Sequence, residues 1–435
     1  MSTFNQFRNV RKLLTGLMIT CVLLGIAAGA QAAQTPPVTL RFFTFSAAPD
    51  HLKDLNAIIA GFKTDNPGVD IAVETAPFAD YLTLLQTDLS GGNGPDVFEL
   101  NYENFFSYVS KGVLLDMGTQ TSADKTWDAS VYYPRALSIF QDNNKQYALP
   151  ESFSTVLLFY NKDLFDAAKV DYPKPDWTWA DALAAAKKLT NKDKGIWGLY
   201  SPVQFYEFFK KAAQGDCKFF NDTKTASLLN SPECLAVLNV MLSFTKEGVM
   251  PTPADLGGVG DDALFKSGKL AMWVNGIWQF TPMADAPFKW DIQLEPGLQH
   301  KAHHFFSNGI AINANTKNAQ AAYKWARYLT SSSIAAKVRI ASSWELPALT
   351  NKSAFADYLK LTPPANRQAV FDALNSIVPI PVIARQSEMQ DKVSAALDKA
   401  VSGELTPQQA LDQAKKDVDA LLGSAPATAA ATATK

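Results

Sequence analysis

Five segments near the start of the chain alternate between the strand period and the helix period. Apolar residues recur at every second position over 38–45 and 69–73, and at every third or fourth position over 52–62 and 81–89. The apolar run 96–100 is typical of a third strand. This order of strands and helices builds a parallel sheet covered by helices, so the sequence predicts an α/β fold.

The carboxyl ends of the predicted strands carry polar and aromatic residues. These ends are 43–46 after the first strand and 101–104 after the third strand. In parallel sheets, ligands bind outside the carboxyl ends of the strands. A second region begins near Pro150 with the β-rich run 154–160, and a further strand is predicted at 303–312. We therefore expect two structural units, with ligand contacts at strand ends.

The N-terminus has the three parts of a secretory signal. Basic residues within 8–12 precede an uncharged, mostly apolar run over 13–28, and Ala30-Gln31-Ala32 provides the small residues that a signal peptidase reads. We expect a signal peptide over 1–32 that is cleaved after Ala32, which makes the mature protein periplasmic. The alternatives are a retained membrane anchor, for which the run is shorter than the roughly 20 residues of a spanning helix, and a lipoprotein on Cys21.

Length and charge narrow the class of the mature chain. Residues 33–435 are too many for one hydrophobic core, so two domains of about 150–200 residues are expected. The formal net charge of the whole chain is -2, whereas a nucleic-acid-binding protein needs a basic face. No segment after the signal is apolar over the roughly 18 residues of a membrane span. The tail 423–435 has no bulky apolar residue, so we expect it to be disordered.

Two cysteines remain after signal cleavage, Cys217 and Cys234. An even number of cysteines in an oxidising compartment favours a disulfide. Because the two residues are close in the sequence, the bond would be a local clip worth roughly 3 kcal/mol through loop entropy. The alternative is a pair of free, buried thiols.

Sequence motifs of catalytic sites are absent from the chain. It has no G-x-S-x-G, H-E-x-x-H, C-x-x-C, G-x-G-x-x-G or P-loop pattern. His300, His303 and His304 have a spacing that a metal site can use, but no Cys or carboxylate lies within two residues of them. We interpret these histidines as a solvated linker or the entry to a strand. No motif marks a pair of carboxylates for glycoside hydrolysis.

Seven stretches, spread over nearly all of the mature chain, form an ordered set. They are GNGPDVFEL with the later GVLLDM, YALPESFSTVLLFYNKDLF, TWADAL, ALFKSGKLAMWVNGIW, SNGIAI, SSWELP, and SGELTPQQALDQAKKDV. In this order they resemble the extracellular solute-binding proteins, family 1, that feed ABC importers, specifically the group that serves carbohydrates and sugar phosphates.

The resemblance implies a two-lobed periplasmic-binding-protein fold (type II-like), with an interdomain ligand cleft and three hinge crossings. The N-lobe would comprise 33–149 plus 306–343, and the C-lobe would comprise 150–305 plus 344–422. The ligand would bind between the lobes, and the closed form would dock on an ABC permease in the inner membrane. The family uses no covalent chemistry, cofactor or metal, and we expect a monomer that binds no nucleic acid.

The contact positions of the family, carried over to this chain, fall mostly at predicted strand ends. The ligand-binding candidates are Phe43, Phe45, Tyr81, Asn101, Tyr102, Glu103, Glu151, Ser154, Asn275, Trp278, Asn308, Trp344 and Arg385. Aromatic rings stack on the apolar face of a pyranose, while polar side chains bond its hydroxyl groups. Trp278 matches a family position where an aromatic ring commonly stacks on sugar.

The predicted function is the periplasmic substrate-binding component of an ABC importer for a sugar or sugar derivative. The aromatic candidates favour a neutral carbohydrate, followed by a polyol or amino sugar. Arg385 leaves a phosphorylated ligand open, because a guanidinium suits phosphate geometry. The alternatives are a secreted carbohydrate-active enzyme, which would turn over its substrate, and a binding protein for a non-sugar solute. A closed binding protein can also dock on a chemoreceptor.

Overall fold

The structure is a computed structural model that describes residues 37–46, 49–342, 345–351 and 355–423. The predicted signal peptide, the candidate contact Trp344 and residues 424–435 of the predicted tail lie outside the described residues. Within those ranges, no helix is both long enough and apolar enough to span a bilayer. Strands and helices are mixed along the chain, so the predicted α/β class is confirmed.

The elements of the first part of the chain lead to one long strand. They are β1 (Val38–Thr44), α1 (Pro49–Asp65), β2 (Val69–Thr75), α2 (Phe78–Ser90), β3 (Val97–Asn101), α3 (Tyr102–Ser110), α4 (Gly118–Ala123), a 3-10 turn (Ala129–Val131), α5 (Pro134–Ser138), β4 (Gln141–Asp142), β5 (Lys145–Gln146) and the long strand β6 (Ala148–Asn161).

Helices are more frequent in the second part. Its first elements are α6 (Lys162–Ala168), α7 (Trp179–Leu189), a 3-10 turn (Lys192–Lys194), α8 (Phe205–Gln214), α9 (Pro232–Lys246), α10 (Pro253–Leu256), α11 (Asp261–Lys266), β7 (Met272–Gly276), a 3-10 turn (Ile277–Gln279) and β8 (Trp290–Gln293). Then follow β9 (His303–Ile312), α12 (Ala319–Ser331), α13 (Ser333–Ser342), β10 (Leu346–Pro347), a 3-10 turn (Tyr358–Lys360), α14 (Gln368–Asp372), a 3-10 turn (Ala373–Ser376), β11 (Ile377–Val378), α15 (Gln386–Ser402) and α16 (Pro407–Gly423).

The predicted alternation of strands and helices at the start of the chain is confirmed. β1 lies between β2 and β3 and is parallel to both, with Phe42 opposite Val73 on one side and Val97 on the other. β9 pairs antiparallel with β3. Phe42 also packs edge-on against Trp325 of α12, with ring centroids 5.6 Å apart, because alternate residues of β1 point toward the covering helices. The carboxyl ends of β1 and β3 therefore lie at the same edge of the sheet.

Two long strands, β6 and β9, connect this sheet with the rest of the structure. The first part of β6, 148–155, pairs antiparallel with 305–311 of β9. The second part, 156–161, pairs instead with β7 and β8. β6 is buried along its whole length, as expected for a strand with neighbours on both sides. β10 pairs with β6 at 152–153, so β6, β9 and the segment before β10 meet at one place.

The second part of the chain builds apolar cores of its own. α7 begins with a capping box formed by the side chains of Thr178 and Asp181. α8, α9, α15 and α16 together enclose one of these cores. The predicted disulfide between Cys217 and Cys234 is present, with an S–S distance of 2.00 Å. It ties the segment after α8 to the first turn of α9.

Candidate ligand-binding cleft

One face of the β6–β9 pair carries polar and aromatic side chains. Ser152 lies opposite Asn308, and Ser154 lies opposite Phe306. Directly opposed residues point to the same side of a sheet, and His304 points there too because it is two residues from Phe306. We call these five residues the cleft face. Four of them are at most 8% exposed, and Phe306 is half-buried.

The end of β3 and the first turn of α3 form one wall beside the cleft face. Asn101 lies opposite Asn308 in the β3–β9 pair. Tyr102 and Glu103 follow in α3, and Glu103 is buried. Glu103 Oε1 lies 3.8 Å from Nε2 of His304, so this wall reaches the cleft face. The structure therefore brings Asn101 next to Asn308 and Glu103 next to His304, whereas the ring of Tyr102 packs against Phe106 and Phe140.

Aromatic rings form a second wall. Trp278, in the 3-10 turn after β7, packs edge-on against Phe306 with centroids 5.4 Å apart. Tyr206, in the first turn of α8, lies 5.7 Å from Phe306 and 5.6 Å from His304, measured between ring centroids. Phe209 packs edge-on against His304 at 4.9 Å. The two half-buried rings of this wall, Trp278 and Tyr206, flank the half-buried Phe306.

Sequence reasoning missed five members of this site: Ser152, Tyr206, Phe209, His304 and Phe306. Two signals for three of them were present. Tyr206 stands at the start of an amphipathic helix, where a half-exposed aromatic residue faces a neighbouring surface. His304 and Phe306 alternate with Asn308 in a predicted strand, which places all three on one face. The sequence did not reveal which face of that strand borders a ligand.

Three buried side chains of this site have polar atoms without a hydrogen-bond partner among the described residues. These atoms are Oε2 of Glu103, Oγ of Ser154 and both ring nitrogens of His304. Each of the three side chains belongs to a residue that is at most 3% exposed. Buried polar atoms nearly always have partners in folded proteins, so several unpaired atoms at one place indicate a site that another molecule completes.

Three carboxyl groups share one guanidinium where β3, β6 and the segment before β10 meet. We call Glu99, Glu151, Glu345 and Arg339 the junction cluster. Arg339 is bonded to Glu151, and Glu99 accepts a 2.5 Å hydrogen bond from the hydroxyl of Thr44. Burial raises the pKa of all three carboxyl groups, and the charge of Arg339 offsets only part of this effect.

Glu345 links the junction cluster to the cleft face. Its Oε2 accepts hydrogen bonds from the hydroxyl of Ser152 and from Nδ2 of Asn308, the latter at 3.2 Å. Ser152 belongs to β6, Asn308 to β9, and Glu345 to the segment that leads into β10. One carboxyl group therefore links β6, β9 and the segment that leads into β10.

Phe43, Phe45 and Tyr81 lie around the end of β1, away from the cleft face. Tyr81 is fully buried, and its hydroxyl lies 3.0 Å from the carbonyl oxygen of Phe43 and 2.7 Å from that of Glu99. The rings of Phe43 and Tyr81 pack at 4.4 Å in the core beside α2. Phe45 is half-buried and packs edge-on against Tyr81.

Two further candidates, Asn275 and Arg385, also lie away from the cleft face. Asn275 is opposite Leu157, whose side chain points to the other side of β6 from that of Ser154. Asn275 Oδ1 accepts a 2.8 Å hydrogen bond from the amide of Gly276. Arg385 stands before α15, half-exposed, and forms an ion pair with Glu388.

The three clustered histidines have different partners. His300 is exposed and lies 3.1 Å from Asp216. Nδ1 of His303 lies 2.9 Å from the hydroxyl of Ser376, while His304 faces the cleft. In the part of the chain that the structure describes, no group of three His, Cys, Asp or Glu side chains is placed to hold a metal ion.

A comparison with protein families identifies the chain. The sequence profile of the bacterial extracellular solute-binding proteins matches residues 48–336. The chain belongs to this family. Among solved structures, an ABC substrate-binding protein from Listeria monocytogenes in complex with cycloalternan is similar to it, with 42% identity and a TM-score of 0.86 over 89% of this chain and 99% of that chain. The family member described here therefore has the two-lobed α/β fold predicted from the sequence.

Two more relatives extend the comparison. The galactooligosaccharide-binding protein of Bacillus subtilis is 26% identical over 82% of this chain and 83% of its own length. The GacH receptor of Streptomyces glaucescens, solved with acarbose, matches with a TM-score of 0.79 over 90% of this chain and all of that chain, at 21% identity. At that identity, the second match supports the fold alone.

Proposed function

We propose that this chain is an exported binding protein that captures an uncharged oligosaccharide between two lobes and delivers it to the permease of an ABC importer. The observation that carries this proposal is the cleft face with its two walls. Half-buried rings and buried, unpaired polar atoms stand side by side there, and this is the mixture that sugar recognition needs. The saccharides in the names of the Listeria and Bacillus relatives support it.

The charges near the cleft face favour an uncharged ligand. Glu103 and Glu345 both contact residues of that face, and their carboxyl groups oppose the approach of a phosphate or carboxylate. Arg385 is the residue that would favour a phosphorylated ligand, and it is bonded to Glu388. We therefore place neutral sugars ahead of sugar phosphates.

The strand pairing supports hinge closure between an N-lobe (33–149 plus 306–343) and a C-lobe (150–305 plus 344–422). Two of the three crossings would run through β6 and β9. β6 changes partners from β9 to β7 and β8 between Thr155 and Val156, close to the first crossing. A ligand that touches both lobes stabilises the closed state by its differential affinity.

The remaining parts of the proposal concern the setting of the protein. We propose cleavage after Ala32, a periplasmic location, a monomeric state and docking of the closed form on an inner-membrane permease. No catalytic step is proposed, because the members of this family bind and release their solutes. The sugar should therefore leave the protein unchanged.

Titration calorimetry of the exported protein tests the proposal, with cycloalternan, a galactooligosaccharide and glucose 6-phosphate as probes. We expect one of the two uncharged oligosaccharides to bind and to be recovered intact. At 100 times its Kd, such a ligand should stabilise the protein by about 2.7 kcal/mol in thermal unfolding. Binding of glucose 6-phosphate alone, or turnover of either oligosaccharide, would contradict the proposal.

A substitution at Trp278 tests the aromatic wall. Trp278→Ala should raise the Kd for the oligosaccharide by about 30-fold, roughly 2 kcal/mol, if the ring stacks on the sugar. Trp177→Ala is the matched control, because Trp177 is also half-buried against the same core. The control should change thermal stability but leave the Kd as it is. An unchanged Kd in Trp278→Ala would assign that ring to the core.

A further inference from the structure

Glu103 and His304 face each other between α3 and β9, and both are buried with unpaired polar atoms. The carboxyl oxygen Oε1 lies 3.8 Å from Nε2 of the imidazole, beyond hydrogen-bond distance. We propose that Glu103 and His304 together bind one hydroxyl group of the sugar, that the imidazole must be neutral for this, and that acid therefore weakens ligand binding. This inference rests on the proposed function, because it assigns the recognition chemistry of the same cleft.

The two side chains offer complementary hydrogen-bonding groups to a hydroxyl. A carboxylate accepts hydrogen bonds, whereas a neutral imidazole donates from one ring nitrogen and accepts at the other. Among the described residues, no hydrogen bond is made to Oε2 of Glu103 or to either ring nitrogen of His304. A sugar hydroxyl can donate to the carboxylate and accept from the imidazole at once, which an apolar group cannot do.

The Glu103–His304 pair lies where opening and closure of the lobes would change its exposure to water. With the lobe boundaries predicted above, Glu103 lies in the N-lobe and His304 in the C-lobe. His304 is 1% exposed, and its ring is stacked on Phe306 with centroids 3.5 Å apart. Opening would move α3 away and expose the imidazole to water. Closure would bury it again beside the ligand.

Burial lowers the pKa of His304, and this effect outweighs the opposing influence of Glu103. Among the described residues, Glu103 from α3 and Tyr206 from α8 lie against His304, and the charges of Glu207 and Lys210 from α8 also act on it. Glu207 and Lys210 form an ion pair with each other, 2.7 Å apart, so their effects on the imidazole largely offset each other. β11, which pairs with β9 beside His304, adds only Ile377 and Val378.

The consequence is a pH dependence of affinity with a defined sign. In the open form, an exposed imidazole has an ordinary pKa near 6.5 and takes up a proton in acid. The closed form resists that proton because the ring is buried. The Kd should therefore rise by about tenfold between pH 7.5 and pH 5.5, since closure must expel the proton.

His303 provides a matched control on the same strand. It is also buried, and burial lowers its pKa to about 3. However, it points to the opposite side of β9, where Nδ1 lies 2.9 Å from the hydroxyl of Ser376. A general effect of histidine removal on β9 should appear in both variants, whereas a recognition role should appear only at His304.

The experiment measures the Kd for cycloalternan and for a galactooligosaccharide by calorimetry at pH 7.5, 6.5 and 5.5. His304→Asn should raise the Kd at pH 7.5 by about tenfold and remove the tenfold rise toward pH 5.5. His303→Asn should keep both the affinity and the pH dependence. Glu103→Gln, in the first turn of α3 rather than inside the strand pair, should weaken binding at every pH and keeps the test valid if His304→Asn folds poorly.

The possible failures are distinguishable. Binding by the wild-type protein with a flat pH profile, or with a pH dependence that persists in His304→Asn, would overturn this inference alone. Equal Kd values for the wild-type protein and Glu103→Gln would do the same. If the wild-type protein binds no saccharide at pH 7.5, the proposed function fails and this inference fails with it.

Discussion

Two buried clusters of charged side chains differ in how well their charges are compensated. In the second part of the chain, Glu207, Lys210 and Lys211 of α8 join Glu295, and we call these four residues the α8 network. Two carboxyl groups and two ammonium groups balance there. Lys210 lies 2.7 Å from Glu207 and 2.8 Å from Glu295, and Lys211 lies 2.6 Å from Glu207. The junction cluster instead has three carboxyl groups and one cation from the described residues.

In these two clusters, a buried carboxyl group has a lowered pKa only where two cations touch it. Glu207 contacts two lysines, and its pKa falls to about 2 despite full burial. Glu295 contacts Lys210 alone, and burial raises its pKa to about 7. In the junction cluster three carboxyl groups share Arg339, and burial raises the pKa of each. Burial alone therefore does not decide the charge state, because the cation count outweighs it.

The two clusters, which differ in charge compensation, also lie in different places. The α8 network lies between the core enclosed by α8 and the ring of Trp179, which is 4.1 Å from Nζ of Lys211. The junction cluster sits where the connecting segments meet, and Glu345 bonds two of the strands there. In the α8 network the number of cations equals the number of carboxyl groups. In the junction cluster it does not, so we expect the stability of that cluster to depend on pH.

Removing the central carboxylate of the α8 network should have the largest effect on stability. Glu207→Ala leaves two buried lysines with Glu295 alone, and we expect a loss of about 3–5 kcal/mol in the free energy of unfolding. Urea unfolding at pH 7 measures it. Glu247→Ala is the control, because Glu247 pairs with Lys187 on the surface, and its urea midpoint should hardly move. A similar midpoint for both variants would remove the contrast between buried and exposed pairs.

Removing the carboxyl charge of Glu99 from the junction cluster should stabilise the protein, which is opposite to the effect expected in the α8 network. Glu99 has a raised pKa in the folded state, so the native protein loses stability as the pH rises above about 4.5, where the unfolded chain gives up its proton. Glu99→Gln should therefore stabilise the protein at pH 7 by about 1.4 kcal/mol for each unit by which the pKa is raised, counted only up to pH 7. The gain should vanish near pH 4.

Thermal unfolding of Glu99→Gln at pH 4 and pH 7 measures this gain, with Glu151→Gln as the comparison. Glu151→Gln removes the charge partner of Arg339, so it should destabilise the protein at pH 7. A loss of stability at pH 7 in Glu99→Gln would mean that Glu99 is held as a charged group, and the contrast with the α8 network would fail.

An exposed ion pair should give the smallest effect. Lys63 lies 2.9 Å from Asp70, and both side chains are about half exposed (50% and 51%). Lys63→Ala should change the free energy of unfolding by less than about 1 kcal/mol, and less still in 1 M salt, because water screens the pair. Urea unfolding at two salt concentrations checks it. A loss comparable with that of Glu207→Ala would show that burial is not the deciding variable.

Much of the fold could be predicted from the sequence because its causes are local. The two periodicities over 38–100 specify which residues of each strand and helix face inward, and this alone yields the parallel sheet of β1, β2 and β3. The disulfide followed from a count of two cysteines in an exported chain. The candidates at the end of β3 could be predicted for the same reason, because polar residues directly after a buried strand lie at the edge of the sheet.

The other half of the site was decided by contacts between distant segments. Tyr81 looked like a ligand contact, but its hydroxyl lies beside two carbonyl oxygens of strands that the helix covers. Asn275 and Ser154 were both candidates until the pairing of β6 with β7 placed them on opposite sides. His304 was expected in a solvated linker or at the entry to a strand; it lies at the start of β9, whose register turns the buried side chain toward Glu103.

The sequence by itself determined the α/β class, the exported family and the residue types available at strand ends. Only the tertiary structure decided which of those residues share a face, because a shift of one residue in strand register moves every side chain to the other side of the sheet. It also decided which carboxyl groups are buried beside a cation from a distant segment, as Glu151 is beside Arg339 and Glu295 beside Lys210.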